Sequence, residues 1–138
     1  MIPTALTPEL RALAWAVVLG VVQILAAAYA VAAQRQGGLT WAAGSRDTPQ
    51  PPPTGVAARL VRARDNFAET FPFFAAAVLA AGMTGHTGGL SATGAAIYFW
   101  GRVIYLPLYA AGVPYLRSVV WGVATAGMLM VLAATLLG

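Results

Sequence analysis

From Leu10 to Ala33 the chain carries one charged side chain, Arg11 at its edge, and one uncharged polar one, Gln23 in the middle. Such a run has no polar face to offer water, and as a helix it spans about 36 Å, enough to cross roughly 30 Å of hydrocarbon. It has neither a basic leader nor a small-residue cleavage site, so it reads as a transmembrane helix and not a signal peptide. The rest of the 138 residues agrees: 59% are hydrophobic and 9% charged, where a soluble domain carries about a quarter charged. With no cysteine, disulfides, thiolate metal sites and a protein thiol nucleophile are excluded. A single histidine, His86, excludes a histidine-based zinc cluster. All eight basic residues are arginine, giving a net charge of +4. They sit around and inside apolar segments, as positive-inside topology requires, with no basic run that would bind nucleic acid.

The expected architecture is all-α: one integral membrane domain over residues 1–138, with four helices at about 8–34, 55–83, 91–112 and 114–137. The stretch at residues 35–54 is rich in Gly, Pro and polar residues and reads as a loop, extended through the proline run at 49–53. Pro114 falls at the first turn of the fourth helix, where proline fits. Arg35, Arg46, Arg59, Arg62 and Arg64 cluster in and just beyond that loop, whereas the turn near His86 has no arginine. The positive-inside rule therefore places the loop in the cytoplasm and both termini outside. The helices are rich in Ala and Gly, which favours close helix packing in lipid and association with further copies.

Two polar stripes interrupt the apolar pattern. On the second expected helix Arg59, Arg62, Asn66 and Glu69 are spaced 3, 4 and 3. They fall within about an 80° sector, while Arg64 and Asp65 point elsewhere. A carboxylate this deep must be neutral, paired or wet, so Glu69 calls for a partner such as Arg62 or an arginine of another helix. Pro72 frees the Ala68 carbonyl beside it. On the third helix Tyr98, Arg102, Tyr105 and Tyr109 share one face, with Arg102 in mid-span. Arg117 and Ser118 open the fourth helix, where free N–H groups favour an anion. The stripes read either as structural ion pairing with interfacial tyrosines or as one polar cavity on the cytoplasmic side.

The segments RARDNFAETFPFF and GRVIYLPLYAAGVPYLRS together resemble the MAPEG family, membrane-associated proteins in eicosanoid and glutathione metabolism. The likeness rests on Arg62, Asn66, Glu69 and Pro72, then Arg102, Tyr105 and Tyr109, then Arg117 with Ser118. Asp65 stands where many family members have arginine, with Arg64 one place earlier. The resemblance implies a homotrimer of four-helix subunits, with glutathione as co-substrate between protomers near the cytoplasmic face. It implies that Arg62, Asn66, Glu69, Arg102, Tyr105 and Tyr109 hold the tripeptide. Arg117, with Ser118, would sit at the sulfur and favour the thiolate, which attacks a lipophilic electrophile arriving from the bilayer. Localisation would then be a bacterial inner membrane.

Two other function classes set the terms of comparison. A non-catalytic lipid- or glutathione-binding member keeps the polar face but does not need Arg117. A small proton-coupled exporter would centre on Glu69 with few arginines around it, which the proximity of Arg62 and Arg102 disfavours.

Overall fold

A computed structural model describes residues 5–138, which are helical or in turns with no strand among them. The elements are α1 (Pro8–Gln34), α2 (Gly38–Ala43), α3 (Gly55–Met83), α4 (Gly89–Ala110) and α5 (Leu116–Leu137). Thr7 starts α1 by accepting a hydrogen bond from Leu10 N at 3.2 Å, with Pro8 in the first turn. α1, α3 and α5 are each long and apolar enough to cross a membrane. α4 has 22 residues, with Ser91, Thr93, Arg102 and three tyrosines among its apolar positions, and does not join that group. Three of the four expected spans are thus membrane-capable helices, and the fourth, α4, packs against all three.

α3 and α4 touch each other and both touch α1 and α5, whereas α1 and α5 do not meet. The shared interior holds Ala16, Phe67, Phe74, Val78, Tyr98 and Val131. Large apolar side chains outside it, including Val18, Val22 and Leu25 on α1, are exposed. That distribution suits a chain solvated by lipid. The protein is therefore a multi-pass integral membrane protein.

The tightest contact is between α4 and α5. A Cβ on Gly94 would lie 2.5 Å from the Gly127 carbonyl oxygen, and one on Gly101 would lie 2.8 Å from Ala124 Cβ. Here backbone meets backbone, as small residues permit between membrane helices. α1 approaches α3 similarly at Gly20, against the Phe67 ring.

Two connections differ from the sequence expectation. The loop after α1 contains the six-residue helix α2, entered through Gly37 at φ 90°. Pro114 lies before α5 and not in its first turn. Leu116 N donates to the Pro114 carbonyl at 2.6 Å across Tyr115, whose φ of 60° and ψ of −59° make a γ-turn of the strained type. The proline is used to set up that turn, so the helix starts two residues later.

Candidate functional site

Arg102 defines the site. It leaves α4 into the interior and is 2% exposed. Its Nη1 donates to Asn66 Oδ1 on α3 at 2.8 Å. The guanidinium lies 4.4 Å from the Tyr105 ring centroid and 5.5 Å from that of Phe67, so aromatic faces hold it on two sides. Its Nε and Nη2 are buried with no hydrogen-bond partner. A buried cation with one neutral acceptor and two idle donors is rare, since each idle donor forfeits about 1–3 kcal/mol of desolvation.

Toward the α4–α5 turn, Tyr109 gathers two further cations. Arg62 Nε donates to Tyr109 Oη at 3.2 Å, with its guanidinium 5.9 Å from the ring centroid. Arg117 stacks on the same ring at 4.4 Å. Tyr105 and Tyr109 meet edge to face at 5.5 Å, joining the two groups into one patch. Nearby, Arg59 Nε donates to the Ala110 carbonyl at 2.8 Å and caps the end of α4. α3, α4 and α5 thus present Arg62, Arg102 and Arg117 together with no carboxylate paired to any of them among the described residues.

Glu69 departs from expectation. It is exposed, and the ion pair formed among the described residues is Arg64 with Asp65, at 2.9 Å. Arg62 is hydrogen-bonded to Tyr109 and Arg102 to Asn66, and among the described residues neither forms a contact ion pair with Glu69. Ser118 is exposed, and its backbone N donates to Tyr115 O at 2.9 Å. Arg62 is exposed as well, so in a single chain the patch is an open face and not the enclosed cavity the stripes suggest. Tyr98 lies apart from it. That side chain is fully buried, its hydroxyl 3.0 Å from Thr70 Oγ1 and its ring 4.0 Å from Phe74, so it belongs to the core.

A second buried charge, absent from the sequence reading, sits in the first turn of α1. Glu9 is 1% exposed; its Oε1 accepts from Gly88 N at 3.1 Å and from Ser91 Oγ. It thereby occupies the N-terminus of α4, where a carboxylate is favoured by free N–H groups and the helix dipole. The Thr-Pro-Glu start signals a helix N-terminus, but nothing in the sequence identifies the partner, which lies 79 residues away.

The geometry defines a class first: a polytopic helical membrane protein with an unpaired arginine–tyrosine face shared by three helices. The chain matches the model of the MAPEG family over residues 12–137, nearly its whole length, and it belongs to that family. No curated protein and no solved structure matches it significantly.

Proposed function

We propose that the protein is a glutathione-dependent membrane transferase or peroxidase acting on a lipophilic electrophile. The observation that carries the reading is the buried Arg102 guanidinium with Nε and Nη2 unsatisfied. Glutathione brings two carboxylates, which guanidinium groups grip in bidentate fashion, so the idle donors fit an anionic guest. In this reading Arg102, Arg62, Asn66, Tyr105 and Tyr109 hold the tripeptide. Arg117, in the first turn of α5, stands at the sulfur, where a cation and a helix N-terminus both favour thiolate over thiol. The thiolate then forms a bond to the electrophilic carbon, and the displaced group leaves with its electron pair. Ser118 sits beside Arg117 as a donor to that group.

The exposed Glu69 and Arg62 support assembly as a homotrimer, because a neighbouring copy would cover the open face and supply Glu69 with a partner or with the ammonium group of glutathione. The arginine-rich loop supports a cytoplasmic site with both termini outside.

Calorimetric titration of glutathione into the detergent-purified protein, beside Arg102→Ala, tests the reading. Saturable binding that the variant loses supports it; no binding at millimolar glutathione removes it. Catalysis is separated from binding by Arg117→Ala. That variant retains glutathione and loses roughly 100-fold in turnover if the thiolate assignment holds, whereas full turnover overturns the assignment.

A further inference from the structure

The loop between α1 and α3 builds a second cationic site that the glutathione reading does not use. Gln34 closes the loop at its base: its Nε2 donates to Thr54 O at 2.9 Å, and Thr54 N donates to its Oε1 at 3.0 Å. Inside, Trp41 on α2 has two guanidinium groups beside its ring, Arg35 at 5.3 Å and Arg46 at 5.5 Å from the centroid. Both arginines are held by backbone carbonyls, Arg35 Nη1 by Pro51 and Arg46 Nε by Ala42 at 2.9 Å. Arg35, Trp41 and Arg46 line a cavity of about 320 Å³ whose floor is Ala27, Ala28 and Val31 of α1. Two donors there, Arg35 Nε and Trp41 Nε1, are buried without a partner. Arg64 also lines it but is ion-paired with Asp65 at 2.9 Å, whereas Arg35 and Arg46 form no ion pair among the described residues, although Asp47 follows Arg46 in the chain.

Arg64 also lines a second hollow, an apolar groove of about 310 Å³ between α1 and α3. Val17, Gly20, Val21 and Ile24 form one wall, with Phe67 and Phe71 on the other. The two hollows are therefore stacked along α1, the apolar one within the membrane-spanning part and the cationic one at its end. An anion-binding head above a hydrocarbon slot has the shape and polarity of a glycerophospholipid, and basic clusters beside a membrane span attract anionic headgroups.

We propose that this site binds an anionic phospholipid, with the phosphate between Arg35, Arg46 and the Trp41 indole N–H, and one acyl chain in the α1–α3 groove. The inference does not rest on the glutathione reading. A free anion would use the same donors but gain nothing from the groove.

The full-length protein in dodecylmaltoside micelles is titrated with dioleoyl-phosphatidylglycerol, dioleoyl-phosphatidylcholine, inorganic phosphate and glutathione, with native mass spectrometry reading the bound species. The expected result is one tightly retained phosphatidylglycerol per chain, held about tenfold more tightly than phosphatidylcholine. Arg46→Ala then weakens it about fivefold, the worth of one arginine at an anionic surface. Ile24→Trp, which fills the groove, weakens the lipid without involving the loop, so the proposal stays testable if the loop variant misfolds. Equal retention of the two lipids, or no loss in either folded variant, overturns the proposal. So does inorganic phosphate binding as tightly as the lipid, or displacement of phosphatidylglycerol by millimolar glutathione.

Discussion

Glu9 and Arg102 are both almost fully buried charges, yet their surroundings are opposite. Glu9 has a backbone N–H and a hydroxyl donating to it and closes a helix end. Arg102 has one amide oxygen, two aromatic faces and two donors with nothing to do. A charge whose hydrogen-bonding capacity is met by its own chain is explained by folding. One whose capacity is left open costs stability within the chain, a cost that the proposed guest would offset. Counting hydrogen-bond partners tells the two charges apart, a distinction that burial alone does not make.

Variants at the two positions can break that distinction. The largest effect is expected from Arg102→Met, which keeps the side-chain bulk and removes the guanidinium. Glutathione affinity should fall by about 100-fold or more in calorimetry, since a buried charge-paired anchor is lost. The melting free energy of the same variant in detergent should change by less than about 1 kcal/mol, because two unsatisfied donors disappear along with one hydrogen bond. Stability loss with unchanged affinity would reverse the assignment. Glu9→Ala should give the mirror image: about 2–3 kcal/mol of stability lost, as Gly88 N and Ser91 Oγ lose a charged acceptor, with glutathione affinity unaltered. Thr70→Val sharpens the picture for the neutral core, with an expected loss of about 1 kcal/mol through the Tyr98 hydroxyl and no change in binding. The smallest effect is at Tyr115, whose left-handed φ a glycine would accept. Tyr115→Gly should gain up to about 1 kcal/mol by relieving the turn, partly offset by greater freedom in the unfolded chain.

Much of this layout is visible in one dimension, because lipid solvation demands long apolar runs and the site demands polar residues that interrupt them. Arg62, Asn66 and Glu69 fall in one stripe by helical spacing alone, as do Arg102, Tyr105 and Tyr109. What spacing does not encode is which side chain meets which across helices. Asn66, and not Glu69, is the acceptor for Arg102, and Tyr109 collects both Arg62 and Arg117. Tyr98 shares the stripe of Arg102 but turns into the core, where Thr70 and Phe74 meet it. α2 escapes a periodicity argument because six residues between glycines carry less than two turns of pattern. Glu9 escapes because its partners become neighbours only when α1 packs beside α4.

The glycine seam between α4 and α5 bears on mechanics. Where Gly94 and Gly127 bring two backbones into contact, no side chain stands between them to swing into another rotamer and absorb sliding. The pair behaves as a single stiff plate. Arg102 is carried by one helix of that pair and Arg117 by the other. α1 and α3 join it through larger side chains such as Phe67 and Phe74, which yield more readily. The guest proposed above would therefore meet Arg102 and Arg117 on two helices locked together by that seam.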